Sequence, residues 1–229
     1  MVTVIGNLKG GCGKSTITFN LAVWLAHAGE NVVAFDLDPQ ATLSEVVELR
    51  KEEGVEPFIN AYRPDTDPEP ILKEHKGHAL MDISASNRWT MRQAILMADR
   101  IVVPVPPSQA DVWSTQRFLD IIAETVGRKR DWPEVVLFVN RADTHPGLRE
   151  SDETEEALTY LSRVTVLKDR IGQRTAYRRS FSEGRAVFEL SPRSKAAQEF
   201  LGLAKKLYPS LAKKRRTKRP VAKHAKLAS

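Results

Sequence analysis

The feature that most constrains the fold of this 229-residue sequence is a glycine-rich stretch near its amino terminus, GNLKGGCGKST at residues 6–16. The short apolar run VTVIGN leads into it, and the segment STITFNLAVWLAHAG follows it. A strand, a glycine-rich loop and a helix in this order are typical of a phosphate-binding loop. Glycines let backbone N–H groups approach phosphate oxygens, and the amino terminus of a helix favours an anion. The stretch therefore predicts a site for the phosphates of a nucleotide.

The loop departs from the plain pattern G-x-x-x-x-G-K-[ST], because Leu8 stands where the first glycine of that pattern would be. The variant K-G-G-x-G-K-[ST] fits without strain. In it, Lys14 is expected to reach the β- and γ-phosphates, and Ser15 to bind Mg²⁺. Lys9, at the front of the loop, is a second lysine to which the plain pattern gives no role.

Apolar, β-branched runs recur along the chain and alternate with helical segments. The further runs are NVVAFDLD, HALMDIS, RIVVPVP and EVVLFVN, and ATLSEVVELRKEE is one of the helical segments. Another helix is expected to begin at Ser108, with Asp111 three residues later in a capping-box-like pattern. In the first helix, Ile17, Leu21 and Leu25 predict one buried face. Nearly continuous apolar strands separated by helices indicate an α/β fold, a mostly parallel twisted sheet with helices on both faces.

The sequence turns polar where each predicted strand ends. In a parallel sheet these positions meet at one edge, which is where ligands bind in such folds. We therefore expect one rim to carry the glycine-rich loop together with Asp36, Asp38, Asp82, Ser108 and Asn140.

Composition and charge divide the chain into two parts. Residues 209–229 contain eight lysines and arginines and no acidic residue, whereas residues 1–208 carry 27 basic and 29 acidic residues. We expect one folded domain at residues 1–208, which contains the phosphate loop, and a basic, flexible tail at residues 209–229 that contacts a polyanion. Cys12 is the one cysteine, which excludes an internal disulfide framework and an all-cysteine metal site. Because no apolar run is long enough for a membrane span, a soluble protein is expected, and the single cysteine fits a reducing cytoplasm.

The loop resembles the deviant Walker A motif of the ParA/MinD family of ATPases, and DLDPQ at residues 36–40 resembles the second motif of the ParA branch. VVPVPPSQADVWS and the segment from RIGQRTAYRR to FLGLAKKL are similar to later parts of short ParA-type ATPases that lack an N-terminal helix-turn-helix domain. The resemblance covers nearly all of residues 1–208. It implies a P-loop ATPase that uses ATP and Mg²⁺.

The resemblance also implies roles for individual residues. Lys9 would cross a dimer interface to the phosphates of the partner subunit's ATP, and Asp38 would position the attacking water. Asp82 would hold Mg²⁺, although DISASN replaces the family's usual Asp-Thr-Pro-Pro continuation, and Asn140 would read the adenine. The expected catalytic residues are Lys9, Lys14 and Asp38, and the expected metal ligands are Ser15 and Asp82. The expected nucleotide-binding residues are Lys9, Gly10, Gly11, Cys12, Gly13, Lys14, Ser15, Thr16 and Asn140.

Basic residues point to DNA as a partner. A helical cluster at Arg170, Arg174, Arg178 and Arg179 and the tail could both contact phosphates without reading sequence. The resemblance implies an ATP-bound homodimer on nonspecific nucleoid DNA and a ParB-like or cargo-adaptor protein that stimulates slow hydrolysis. A membrane role is not expected, because the tail lacks bulky apolar residues. The expected DNA-contacting residues are Arg174, Arg178, Lys213, Lys214, Arg215, Arg216, Lys218 and Arg219.

Other interpretations remain open for the same residues. The fold also suits a metabolic ATP-dependent ligase or phosphotransferase, which would need a second substrate pocket and would leave the tail unexplained. A DNA-binding protein with an inactive ATP site is another alternative. Asp82 could be a simple strand-end residue, Lys9 a surface lysine, Asn140 a turn former, and the arginine cluster a solvated helix face.

Overall fold

The computed structural model describes residues 1–127, 131–145 and 147–211. Its strands form one seven-stranded sheet in the order β3-β2-β4-β1-β5-β6-β7, and every neighbouring pair is parallel. The strands are β1 (Val2–Ile5), β2 (Val32–Leu37), β3 (Asn60–Tyr62), β4 (His78–Ile83), β5 (Arg100–Val105), β6 (Glu134–Ala142) and β7 (Thr165–Gly172). The helices are α1 (Lys14–His27), α2 (Thr42–Glu52), α3 (Pro68–Glu74), α4 (Arg88–Met97), α5 (Gln109–Val126), α6 (Glu150–Thr159), α7 (Thr175–Ser182), α8 (Val187–Leu190) and α9 (Lys195–Leu207).

The predicted fold class is confirmed, and so are the five apolar strands, which occupy the centre of the sheet. The sequence did not reveal β3 and β7, which are the two edge strands. β3 has three residues, and the first six residues of β7 are exposed or half-buried. An edge strand contacts one neighbour and is partly solvated, so it lacks the continuous apolar run of a central strand.

Helices cover both faces of the sheet. One apolar cluster joins α1, α2, α8 and α9 to one face, and a second joins α4, α5 and α6 to the other. The face of α1 predicted from Ile17, Leu21 and Leu25 is buried, and burial extends beyond it, because Phe19 and Trp24 are as buried as Leu21. Their rings contact those of Phe181 and Tyr208, which come from the carboxyl-terminal part of the chain. Within the described ranges, no helix is both long and apolar enough to cross a bilayer.

The end of the described chain is fixed at the edge of the sheet where the strands begin. Tyr208 donates a hydrogen bond from its hydroxyl to Thr3 and lies under the guanidinium of Arg100. Leu211 is 4% exposed, so packing continues three residues past the predicted boundary at residue 208. The basic residues of the tail lie outside the described residues.

Candidate nucleotide site

A cleft of about 720 Å³ lies at the edge of the sheet where the strands end. Asp38 and the segment after β4 form one end of it, and the turn between β7 and α7 forms the other. The glycine-rich loop and Asn140 lie between these ends. The described residues of the loop that line the cleft are Leu8, Gly10, Gly11, Gly13, Lys14, Ser15 and Thr16.

The glycine-rich loop owes its shape to two left-handed glycines and one buried amide. Gly11 and Gly13 have φ angles of 70° and 95°, which side chains disfavour. The Asn140 amide donates from Nδ2 to the carbonyl oxygen of Cys12 at 2.6 Å. A Cβ on Gly13 would lie 2.4 Å from the same Nδ2 atom, so glycine is required for this approach. Asn140 therefore braces the loop from β6, and burial raises the pKa of the Cys12 thiol, which keeps it protonated.

Lys14 begins α1 and points back into the loop. Its side chain is largely buried, and Nζ donates to the carbonyl oxygen of Lys9 at 3.3 Å. A lysine at the positive end of a helix, beside glycine N–H groups, forms a site for a polyanion. Sequence reasoning missed Asn7, which is fully buried and links the loop to β5 by donating to the carbonyl oxygen of Pro104 at 3.0 Å. Its Oδ1 also accepts from the backbone N–H of Lys9 at 3.2 Å.

Lys9 is the exposed lysine of the loop and is paired within its own chain. Its Nζ lies 3.6 Å from Oδ2 of Asp111, and the Lys9 side chain keeps 45% of its exposure. Asp111 was predicted as part of a helix cap, and that prediction is confirmed, since Ser108 caps α5 by accepting from the Asp111 N–H at 3.1 Å. Its contact with Lys9 was not foreseen. The other carboxylate oxygen of Asp111 is buried and has no hydrogen-bond partner among the described residues.

Asp82 is fully buried at the end of β4. Neither of its carboxylate oxygens has a partner at ordinary hydrogen-bond geometry among the described residues, and the Ser15 hydroxyl interacts with the carboxylate only from beyond that geometry. Burial raises the pKa of Asp82 to about 7; the nearby Ser15 hydroxyl and Lys14 oppose this rise, and Asp36 adds to it. Asp36 is its direct register partner on β2. A buried carboxylate without a partner is costly, so this position is one that a bound cation would stabilise.

The residues at this end of the cleft fit Mg²⁺ bound together with phosphates. Mg²⁺ prefers oxygen ligands and usually keeps several waters while sharing one or two carboxylates with a substrate's phosphates. Asp82 and the Ser15 hydroxyl supply such oxygens side by side. In residues 1–127, 131–145 and 147–211, no group of three histidine, cysteine or acidic side chains is arranged to hold a metal ion.

The two aspartates of the DLDPQ motif differ in their surroundings. Asp36 is buried, and its oxygens accept from the backbone N–H groups of Ser44 at 2.7 Å and Asp38 at 3.3 Å. It therefore shapes the turn into α2. Asp38 lines the cleft and is half-buried, and its Oδ1 accepts from the Gln40 N–H at 3.1 Å. It remains available to a water molecule at the phosphate end.

The predicted arginine cluster is dispersed, and its helical assignment is wrong for two members. Arg170 lies on β7 and pairs with Asp152 and Glu155, and Arg174 precedes α7. Arg174 lines the cleft, where it forms a two-bonded pair with Glu199. Arg178 is the exposed member for which the described chain provides no ion pair. The predicted DNA contacts from Lys213 to Arg219 lie outside the described residues.

Comparison with known proteins agrees with this geometry. Residues 3–187 match the family described as the CobQ/CobB/MinD/ParA nucleotide binding domain. The maintenance of carboxysome distribution protein A of Halothiobacillus neapolitanus is 30% identical over 212 residues, which cover 90% of this chain and 95% of that protein.

Solved structures show the same fold at low identity. Apo McdA of Cyanothece superposes with a TM-score of 0.73 at 19% identity, covering 90% of this chain and 98% of that one. The septum site-determining protein MinD of Pyrococcus horikoshii, solved with Mg-ADP, superposes with a TM-score of 0.69 at 21% identity. The match covers 93% of this chain and 98% of that one. The family match over most of the chain agrees with the strand-loop-helix phosphate site and with the parallel seven-stranded sheet. The chain therefore belongs to the ParA/MinD family of P-loop ATPases within the CobQ/CobB/MinD/ParA nucleotide-binding domains.

Proposed function

We propose that this protein is an ATP-driven positioning switch, in which ATP binding joins two subunits and hydrolysis separates them. The observation that carries the proposal is Lys9, a half-exposed lysine at the rim of the phosphate loop that the plain phosphate-loop pattern does not need. Lys14 already supplies the cation of that pattern from within the cleft. A second cation at the rim is placed to reach phosphates held by another copy of the chain.

In the proposed mechanism, different groups of the chain bind the phosphates, hold the metal ion and orient the attacking water. Backbone N–H groups of the glycine-rich loop and Lys14 bind the phosphate oxygens. Ser15 and Asp82 hold Mg²⁺, which neutralises charge on the phosphates when it is bound. Asp38, which lines the same end of the cleft, orients the attacking water. Hydrolysis is slow until a partner completes this arrangement.

The contact between Lys9 and Asp111 gives the switch its resting state. Lys9 is paired in its own chain, so acting on a partner's phosphates requires it to exchange Asp111 for a phosphate. A γ-phosphate attracts a lysine more strongly than one carboxylate does, because it carries more negative charge. Dimer affinity would then depend on the bound nucleotide, as linkage requires for any group that binds one state preferentially.

DNA is the proposed surface on which the dimer acts. The tail carries eight basic residues without an acidic one, and Arg178 on α7 adds an exposed cation to the folded domain. Arg174 is a weaker candidate than the sequence suggested, because Glu199 already neutralises it. Contacts of this kind are independent of sequence and are doubled in a dimer. They would place the protein on nucleoid DNA.

The proposed partner is an adaptor protein that stimulates hydrolysis and carries a cargo. Similarity to a carboxysome distribution protein over 95% of its length supports a protein body as the cargo. Membership of the ParA/MinD family equally suits a plasmid or chromosome complex that acts through a ParB-like protein. In either case the cargo would follow dimers that remain on DNA.

Binding to a random-sequence DNA duplex across a salt series tests the proposal. The full chain is compared without nucleotide, with ADP and with ATP, beside an Asp38→Ala variant and a truncation after Leu211, the last residue that the structure describes. We expect binding with ATP alone, longer-lived binding for Asp38→Ala because hydrolysis is lost, and a shallower salt dependence for the truncation.

Two outcomes contradict the proposal. Equal DNA binding in all three nucleotide states would make the protein a constitutive DNA binder. No DNA binding at low salt, together with ATP turnover that requires a small acceptor molecule, would favour the metabolic ligase or phosphotransferase. Hydrolysis unchanged by Asp38→Ala would remove that residue from the proposed mechanism.

A further inference from the structure

The end of the cleft farthest from Asp38 and Asp82 is formed by the turn between β7 and α7. Asp38 follows β2 and Asp82 ends β4, whereas this turn follows β7, at the other side of the sheet. Four consecutive residues of the turn, 172–175, line the cleft. If phosphates occupy the glycine-rich loop, the nucleobase faces this turn. The position of the turn therefore affects which base the cleft accepts.

The carboxylate of Glu199, on α9, binds this turn through Gly172 and Arg174 and does not itself line the cleft. Oε2 of Glu199 accepts from the backbone N–H of Gly172 at 3.1 Å and from Nε of Arg174 at 3.0 Å. Its Oε1 accepts from Nη2 of Arg174 at 2.5 Å. Between them, the Gln173 N–H donates to the carbonyl oxygen of Ala142 at 2.9 Å. Three consecutive residues of the turn are thus fixed by hydrogen bonds, and two of them depend on the same side chain.

The sequence around the turn suits this arrangement. Gly172 allows the arginine side chain to fold over the backbone, since a Cβ there would lie 3.2 Å from both Nε and Nη2 of Arg174. Glu199 and Arg174 each keep about a quarter of their side-chain exposure, 25% and 25%, so the pair is partly shielded from water. A bidentate pair between arginine and a carboxylate adds geometric specificity as well as energy.

We propose that Glu199 is a positioning residue that sets the base end of the nucleotide cleft through Gly172 and Arg174. The inference rests on the proposed function, because it takes the ligand to be a nucleoside triphosphate. Glu199 itself does not line the cleft, and it acts by fixing the turn that does. A fixed turn lowers the ordering cost of binding and holds its backbone groups at one distance from the base. Removing the carboxylate weakens base recognition and leaves the phosphate end unchanged.

The variant Glu199→Gln tests this positioning role, because it keeps the shape of the side chain and removes its charge. Binding of Mg-ATP and Mg-GTP and steady-state hydrolysis are measured for the full chain. We expect the Kd and KM for ATP to rise about tenfold and the preference for ATP over GTP to fall by a similar factor. The kcat at saturating ATP should stay within about twofold, because Asp38 and the phosphate loop are untouched.

The matched control is Glu155→Gln. Glu155, on α6, forms a partly exposed pair with Arg170 on β7, the strand that leads into the turn, and neither residue lines the cleft. This variant loses a comparable ion pair and should leave Kd, KM and base preference unchanged. A double-mutant cycle with Arg174→Gln adds a second check, and we expect Arg174→Gln combined with Glu199→Gln to be no worse than either single change.

Several results would overturn the positioning role. One is an equal loss of melting temperature in the Glu199 and Glu155 variants with no change in KM or base preference, since the pair would then be purely structural. Another is a loss of DNA affinity and salt dependence in Arg174→Gln with nucleotide binding intact, since Arg174 would then be a DNA contact. If the wild-type chain binds no ATP, the proposed function fails as well, which separates that outcome from the other two.

Discussion

Arg50 and Asp82 are both fully buried, but the charge of Arg50 is paired within the fold and that of Asp82 is not. Arg50, on α2, donates to both oxygens of Glu189 at 2.8 Å and to the carbonyl oxygens of Pro57 and Gly184 at 3.0 Å. Asp82, on β4, has no partner at ordinary hydrogen-bond geometry among the described residues. Burial alone would raise the pKa of Glu189, but hydrogen bonds from Arg50, His27 and Ala186 lower it. Burial raises the pKa of Asp82 to about 7.

We propose that the paired charge of Arg50 is structural, whereas the unpaired charge of Asp82 is available to a ligand. The Arg50 pair joins α2 to α8, and Gly184 packs so closely that a Cβ there would lie 2.8 Å from the backbone of Arg50. Every bond that this guanidinium makes is internal, so the folded chain satisfies it without help. Asp82 is left unsatisfied by the described residues and lies beside Ser15 and the phosphate loop. Breaking the first charge should therefore damage the fold, whereas removing the second should damage binding.

The largest expected effect on stability comes from Arg50→Met. The change leaves the half-buried Glu189 without its main partner and the carbonyl oxygens of Pro57 and Gly184 without their donor, and loss of one partner of a buried pair typically costs roughly 3–5 kcal/mol. Urea unfolding at pH 7.5 measures it. Lys51→Met is the matched control, because the neighbouring Lys51 forms an exposed pair with Glu48 that should contribute little. A cost for Arg50→Met as small as that of the control would show that the buried network is not structural.

Asp82→Asn should raise the stability of the protein without nucleotide, whereas Arg50→Met should lower it. Because the pKa of Asp82 is higher in the folded state than in the unfolded state, ionisation destabilises the fold as the pH rises from about 4 to 7, and the cost is constant above that. Asparagine does not titrate. One pKa unit corresponds to about 1.4 kcal/mol, so we expect the variant to be more stable than wild type by up to about 4 kcal/mol at pH 8 and by much less at pH 4.5.

Urea unfolding of both proteins at these two pH values, in the presence of EDTA, measures the difference. A gain that is the same at both pH values would mean that burial of the ionised carboxylate is not its source. A variant less stable than wild type at pH 8 would mean that Asp82 has a partner within the fold.

The smallest expected effect on stability comes from Lys9→Ala. This change removes a half-exposed charge that is paired with Asp111. Its pair with Asp111 is half-exposed, so the free energy of unfolding should change by less than about 1 kcal/mol. Dimerisation with ATP should nevertheless be lost, as measured by sedimentation with a nonhydrolysable analogue. Normal ATP-dependent dimers of a stable Lys9→Ala variant would show that the rim lysine does not act across the interface.

The sequence was informative where a residue's role depends on its neighbours along the chain. The phosphate loop, the central strands and the common rim of Asp38, Asp82 and Asn140 follow from local patterns and from the geometry of parallel sheets. The edge strands were missed because partial solvation removes their apolar signal. The pairs of Lys9 with Asp111 and of Arg174 with Glu199 join residues distant in sequence, and no periodicity indicates which charges will meet.

The measurement that tests the central claim most directly is the affinity of wild type and Asp82→Asn for ATP, with Mg²⁺ and with EDTA. If Asp82 is kept unsatisfied for a nucleotide-bound cation, Mg²⁺ should strengthen ATP binding by wild type at least about tenfold, a difference of 1.4 kcal/mol, and most of that gain should be absent in the variant. The same Mg²⁺-dependent gain in both proteins would contradict the account, because the buried carboxylate would then take no part in holding the ion.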